Sequence, residues 1–233
     1  MLATTVGETA ADFLSVDLNA GLTATSIVMG TLLVVVLAVQ MRARRYIPTL
    51  YWLTVVLISI VGTLVTDNLV DNLGVGLGTT TIVFAALLAA TFGAWFASER
   101  TLSIHTVHTT RREAFSWTAI LFTFALGTAA GDLLAEGLNL GFARSAVVLG
   151  AAIAALRFSH LKLGLGAVLA FWAAYILTRP LGASLGDDLS QPRADGGLGL
   201  GTVVTSALFL ATIVGVVTYL TRTRRDVIPL TTT

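Results

Sequence analysis

Cysteine is absent from the sequence, and charged residues are scarce. A chain without cysteine forms no disulfide framework, no thiolate metal site and no cysteine nucleophile, which excludes zinc ribbons and thioredoxin-like chemistry. Charged residues make up 12% of the chain, about half the share that is usual in soluble domains, and the mean hydropathy is +0.86. The net charge of +1 leaves no surplus for the basic face that nucleic acids require. These scarcities predict a protein of the lipid bilayer with no nucleic-acid partner.

Apolar residues are abundant, and they fall into segments near the length of about 20 residues that a membrane-spanning helix needs. The predicted spans are Leu2–Val16, Thr23–Met41, Leu50–Val70, Thr79–Ala97, Phe115–Ala135, Ala143–Phe158, Gly164–Leu185 and Thr202–Thr221. The first residues lack the basic region and the long apolar core of a cleavable signal peptide. The sequence therefore predicts an all-α membrane protein with eight transmembrane helices. Residues 1–233 are predicted to form one integral membrane domain, and residues 226–233 are its short cytoplasmic tail.

Basic residues predict the orientation of these helices. Eleven of the 14 lie at or after the ends of the second, fourth, sixth and eighth spans: Arg42, Arg44, Arg45, Arg100, Arg111, Arg112, Arg157, Lys162, Arg222, Arg224 and Arg225. Because lysine and arginine are enriched in cytoplasmic loops, this side is predicted to be cytoplasmic. Both termini are then cytoplasmic as well.

A recurring spacing divides the chain into four copies. A tryptophan precedes a glycine by ten residues, and that glycine precedes an aspartate by five, at Trp52-Gly62-Asp67, Trp117-Gly127-Asp132 and Trp172-Gly182-Asp187; Gly7 and Asp12 repeat the second spacing. The predicted repeats cover residues 1–49, 50–114, 115–163 and 164–225. Each copy holds two spans, so all four sit the same way up, as parallel repeats about an axis along the membrane normal. Equivalent residues are then expected at equal depth.

The first copy is incomplete in this register. Its tryptophan would fall before Met1, and its first helix is short for the thickness of the hydrocarbon core. We expect either that the native reading frame begins upstream of Met1 or that this helix lies inside the bundle.

Four strings of the sequence carry a family resemblance: GETAADFL, TDNLVDNLGVGLGTTTIVFA, LGTAAGDLLAEGL and ILTRPLGASLGDDLSQP. They resemble a bacterial membrane family built from a tandem repeat of unknown function, in which each repeat holds two transmembrane segments and a characteristic tryptophan. The resemblance covers nearly the whole chain and implies an eight-span, four-repeat, multi-pass protein of the bacterial inner membrane. It implies no activity. The chain departs from the pattern in the missing first tryptophan and in a longer connection after Asp187.

The repeated aspartates are the main candidates for function: Asp12, Asp67, Asp132 and Asp187. At about 1.5 Å per residue, Asp67 lies about 25 Å across a hydrocarbon core of about 30 Å, just inside the outer boundary. Ionisable groups within a span usually face a cavity or a partner. Four carboxylates around one axis would repel one another, so we expect them to hold protons or a cation.

Further acids accompany the aspartates. Glu8, Asp71 and Glu136 each lie one helical turn from a repeated aspartate, and Asp188 lies beside Asp187. Such hard oxygen ligands suit Mg, Mn or Ca, so a bound divalent cation is the one cofactor that the sequence leaves open. An alternative is that the acids lie in the outer headgroup layer, where they are solvated and end helices.

Arg179 is the one basic residue placed deep in a span, and Pro180 beside it is expected to kink that helix. We interpret Arg179 as a counter-ion for one of the acids or as a gate element. His105 and His108 form an H-x-x-H motif without a third ligand nearby, which favours a solvated loop over a metal site. The sequence contains no recognisable catalytic motif, so it is not predicted to be an enzyme.

The sequence leaves two functions open. The first is a transporter or channel for a small cation, a proton or a divalent metal ion, that uses the repeated membrane carboxylates. The second is a non-transporting membrane scaffold or sensor in which the repeated acids only terminate helices.

Overall fold

The computed structural model describes residues 1–43, 46–103 and 109–223. Within these ranges the chain is helical, and no residue in them belongs to a strand. The long helices are α1 (Leu2–Asp12), α2 (Leu22–Arg42), α3 (Pro48–Asp67), α4 (Leu77–Glu99), α5 (Thr110–Asp132), α6 (Phe142–Lys162), α7 (Ala167–Ser190) and α8 (Thr202–Thr223). The predicted all-α class is therefore confirmed. Several residues used in the predictions lie outside the described residues: Arg44, Arg45, His105, His108, Arg224, Arg225 and the tail 226–233.

Seven of the helices are long and apolar enough to cross a membrane, and α1 is the exception. It has 11 residues and continues into a π-helical turn, Phe13–Asp17. Most of its side chains are buried, because α1 packs among α3, α7 and α8. The expectation that this helix lies inside the bundle is confirmed, and the short α1 is covered by protein on several sides.

The helices form an inner ring and an outer layer. The inner helices α1, α3, α5 and α7 contact one another in that order, and α7 contacts α1 to close the ring. In α3, α5 and α7, 39% to 56% of the most apolar stretch is buried, whereas the outer helices α2, α4, α6 and α8 have 11% to 28% buried. The apolar side chains that the outer helices leave exposed are suited to contact with lipid.

Each outer helix packs mainly against the inner helix of the following copy. Thus α2 packs on α3, α4 on α5, α6 on α7, and α8 returns to pack on α1. Consecutive copies therefore interlock, and the last copy closes the ring on the first.

One glycine contact recurs at each step around this ring. A Cβ atom added at the repeat glycine would lie 2.7 Å or less from a side-chain atom of the next copy, in the pairs Gly7–Ser59, Gly62–Phe124, Gly127–Arg179 and Gly182–Thr4. The partner stands three residues before the glycine of its own copy in every case. Only a residue without a side chain fits there, so the glycines let neighbouring inner helices approach closely.

The inner helices differ in the turn that follows the repeated aspartate. In the second and third copies, as in the first, this turn is π-helical, at Asn68–Asn72 and Leu133–Gly137. In the fourth copy α7 continues as an α-helix to Ser190, and Pro180 lies inside it without interrupting it. Wide turns of this kind are frequent at functional sites in helical proteins.

Substitution of the repeat glycine tests the closed ring. We expect Gly127→Ala to lower the melting temperature of the purified protein, because the new Cβ would collide with the Arg179 side chain and the backbone of α7. Overpacking of this kind typically costs about 1–3 kcal/mol. Thermal unfolding in detergent, followed by fluorescence, measures the change.

Gly150→Ala is the matched control for this substitution. Gly150 lies within the outer helix α6 and has no heavy atom within 4 Å of the added Cβ. Since alanine is favoured over glycine by roughly 0.5–1 kcal/mol in a helix, this variant should be as stable as the wild type or more so. Equal melting temperatures for the two variants would contradict the close contact.

Candidate functional site

Four sets of equivalent positions, about one helical turn apart along the inner helices, define four layers of the ring. Residues four apart on a helix share a face, so successive layers follow one another along each inner helix. Each layer contains the equivalent residue of every copy. The arginine layer is Thr4, Ser59, Phe124 and Arg179; the glutamate layer is Glu8, Thr63, Thr128 and Ala183; the aspartate layer is Asp12, Asp67, Asp132 and Asp187; the rim layer is Val16, Asp71, Glu136 and Gln191. The repeated aspartates are therefore one level of a longer axial stack.

Residues of the glutamate, aspartate and rim layers line a cavity of about 230 Å³. Seven of the acids predicted from the sequence line it: Glu8, Asp12, Asp67, Asp71, Asp132, Glu136 and Asp187. Gln191 and Ser15 add polar groups, and the remaining lining side chains are aliphatic. We call this space the acid cavity. The structure thus brings the acids of all four copies to one place.

Glu8 forms the floor of the acid cavity. It is buried, and its Oε2 accepts hydrogen bonds from Thr63 Oγ1 at 3.1 Å and from Thr128 Oγ1 at 3.2 Å. The two threonine hydroxyl oxygens are themselves 3.1 Å apart. Residues of three copies therefore meet at this level and hold the glutamate carboxylate in one orientation.

The Glu8 carboxylate and two of the repeated aspartates approach one another closely. One oxygen from each of Glu8, Asp132 and Asp187 lies within 4.8 Å of the others. Asp187 is only 7% exposed, and its carboxylate makes no hydrogen bond or ion pair with any residue that the structure describes. Negative charges at this separation repel strongly in a buried site unless protons or a cation neutralise them. We call Glu8, Asp132 and Asp187 the trio. Its carboxylates are the part of the acid cavity that a proton or a cation would stabilise most.

Asp188 is the one acidic candidate that does not line the acid cavity. Successive residues of a helix point about 100° apart, and Asp187 is the residue of the pair that lines the cavity. The main-chain carbonyl of Asp188 accepts a hydrogen bond from the Leu198 amide at 2.6 Å, which ties down the connection to α8.

Arg179 lies below the glutamate layer and is buried. Its Nη1 donates to Thr4 Oγ1 at 3.1 Å, and its Nη2 donates to the Tyr175 hydroxyl. The guanidinium carbon lies 3.3 Å from the centroid of the Phe124 ring, the geometry of a cation–π contact. The structure therefore pairs Arg179 with hydroxyls and rings, and among the described residues it shows no ion pair between Arg179 and an acid. The gate role stays a prediction.

Sequence reasoning did not identify several residues of the site. Thr63 and Thr128 orient Glu8, and Phe124 covers Arg179, yet none of the three was a candidate. The signal that could have found them is position, because both threonines directly follow a repeat glycine, as Glu8 does.

The comparisons with known proteins concern the repeat itself. The sequence model of the family described as Repeat of Unknown Function (DUF347) matches residues 1–46, 50–101, 115–166 and 170–226. No curated protein and no solved structure matches the chain. Each matched stretch contains one residue of the aspartate layer, and together the four cover most of the sequence. The chain therefore belongs to this family, and it contains four tandem copies of the repeat.

Proposed function

We propose that the protein moves a small cation, a proton or a divalent metal ion, across the membrane by way of the acid cavity. The observation that carries this proposal is the set of seven acidic side chains around one cavity, inside a closed ring of helices of which most are long enough to span a bilayer. Ionisable groups are expensive inside a membrane protein and commonly mark ion or proton pathways.

The proposal includes parallel repeats in the bacterial inner membrane with both termini in the cytoplasm. The glycine contact recurs between each copy and the next and between the last and the first, which supports an axis relating the copies. Basic residues at the ends of α2, α6 and α8 and around the α4–α5 connection favour a cytoplasmic location for that end of the bundle. The acid cavity then opens towards the opposite side.

The arginine layer is suited to act as the gate of this pathway. Its Arg179 also lines a second cavity of about 360 Å³, whose other lining residues come from the start of α1 and from α3, α7 and α8. A buried guanidinium next to a cation pathway repels cations, just as charged groups form electrostatic barriers in known pores. Passage of a cation therefore requires Arg179 to move from Phe124 and Thr4.

The scaffold or sensor function has one observation in its favour. The α-helical stretches of α1, α3 and α5 do end at Asp12, Asp67 and Asp132. Glu8 does not fit this interpretation, because it lies within α1, is buried and accepts two hydrogen bonds from other copies.

Flux into liposomes tests the transport proposal. We expect the wild-type protein to carry protons or a divalent cation, read by a pH-sensitive dye or a metal-sensitive dye inside the vesicles. Asp132→Asn should reduce the rate by at least about tenfold, the scale seen when even outer partners of an ion site are removed. The physical reason is the loss of one carboxylate from the trio without a change in side-chain size.

Asp188→Asn is the matched control for the flux measurement, because it also replaces one aspartate by asparagine, but at a position of α7 that does not line the acid cavity. It should keep the wild-type rate. Absence of flux for every cation tested, with wild-type protein that remains folded in the vesicles, would instead favour the scaffold or sensor.

Cysteine labelling tests the orientation, and the native chain has no cysteine to interfere. Leu138, between α5 and α6, is 60% exposed, and Leu163, between α6 and α7, is 73% exposed. A membrane-impermeant maleimide should label Leu138→Cys in intact cells and Leu163→Cys only after permeabilisation. The reverse pattern would contradict cytoplasmic termini.

A further inference from the structure

We propose that the cargo is a divalent metal ion with a preference for hard oxygen ligands, and that it binds between the carboxylates of Glu8, Asp132 and Asp187. This inference rests on the proposed function, whose cargo and binding site it names. It selects the divalent ion over the proton and a single trio out of the seven acids of the cavity.

The spacing of the trio fits one shared ion. Oxygen ligands of Mg²⁺ or Ca²⁺ lie about 2.0–2.6 Å from the metal, so two of them on one ion are at most about 4–5 Å apart. One oxygen from each member of the trio lies within 4.8 Å of the others. The three carboxylates can therefore reach a common ion with little movement of the helices that carry them.

Asp187 supplies independent evidence for a ligand. Its side chain is more than nine-tenths buried and lines the acid cavity, yet its carboxylate has no hydrogen-bond or ion-pair partner in the described part of the chain. Buried polar groups nearly always have such a partner, and a buried charge is paired or coordinates a metal. The Asp187 carboxylate is therefore available to bind a partner from outside the chain.

Glu8 is prepared for the same partner. Both hydrogen bonds from Thr63 and Thr128 go to its Oε2, which leaves Oε1 without a hydrogen bond from the described residues. Hydrogen bonds of this kind orient a ligand carboxylate and stabilise its charged form, as the outer partners of metal ligands do.

The donor set indicates the class of the ion. The trio offers carboxylate oxygens alone, with no imidazole or thiolate, and such ligands suit Mg, Mn and Ca rather than softer metals. Three negative charges favour a divalent ion over a monovalent one, and the other acids of the cavity add negative potential on the approach.

The repeat predicts one ion for each chain at this level. Only the first copy has a glutamate in the glutamate layer, where the others have Thr63, Thr128 and Ala183. The four copies therefore provide a single trio, which fits one ion. Ala183, one turn before Asp187, contributes no polar side chain to it.

Direct binding of Mn²⁺ tests the inference on the full chain in lipid nanodiscs. Free Mn²⁺ is measured by its electron paramagnetic resonance signal, which bound metal loses. We expect wild type to bind one Mn²⁺ per chain, and Mg²⁺ or Ca²⁺ to compete for the site. Glu8→Gln and Asp187→Asn should each weaken binding by about tenfold or more.

Asp188→Asn is the matched control, since it removes an equal charge from the neighbouring residue of α7, and it should bind Mn²⁺ as wild type does. Size-exclusion profiles and melting temperatures in the absence of metal identify variants that fail to fold, in which case Asp132→Asn or Glu8→Gln carries the comparison. Equal weakening by Asp188→Asn and Asp187→Asn would overturn the trio as the site.

The binding and flux experiments separate this inference from the proposed function. Proton flux in metal-free liposomes, lost in Asp132→Asn, together with no binding of Mn²⁺, Mg²⁺ or Ca²⁺, would retain transport and overturn the metal site. Binding of one Mn²⁺ that depends on Glu8 and Asp187, without flux of any cation, would retain the metal site and overturn transport.

Discussion

The close approach of the inner helices at the repeat glycines is the constraint on which the rest of the structure depends. At each of the four contacts, the glycine of one copy leaves room for a side chain of the next. Small residues are the usual means by which membrane helices pack closely, because lipid provides no hydrophobic force to drive them together. The same spacing brings the Thr63 and Thr128 hydroxyls within hydrogen-bond distance of Glu8. The axial site thus depends on residues that do not themselves contact it.

Much of this fold could be predicted from the sequence, because the length of apolar runs and the spacing of repeated residues are both visible in the sequence itself. Runs of apolar residues predicted the helices, and the glycine–aspartate interval predicted the copies and the common level of the aspartates. The direction in which a side chain points around the helix axis is harder to predict from the sequence, since it depends on which helices pack together. The sequence alone could not separate Asp187, which lines the cavity, from Asp188, which does not, nor show that Arg179 contacts Phe124 and Thr4.

The structure combines a repeated backbone with side chains that break the repetition. Glu8 and Arg179 occupy positions where the other copies have neutral residues, and each is hydrogen-bonded to at least one side chain of another copy. Duplication places equivalent positions at matching levels, and substitution in a single copy then gives a layer its charge. A layer with one negative residue and a layer with one positive residue therefore lie one turn apart within the same repeated set of contacts.

The burial of Glu8 and Asp187 argues that these two acids do more than end helices. A helix-ending acid is satisfied at the headgroup layer, where water reaches it, and that explanation suits the residues at which α1, α3 and α5 give way to π-helical turns. It fails for Glu8, which lies inside α1, and for Asp187, since α7 continues three residues beyond it to Ser190. These are two of the three carboxylates that converge in the trio. Their charge is costly to bury, a cost that helix termination does not explain and that the proposed binding of a cation would offset.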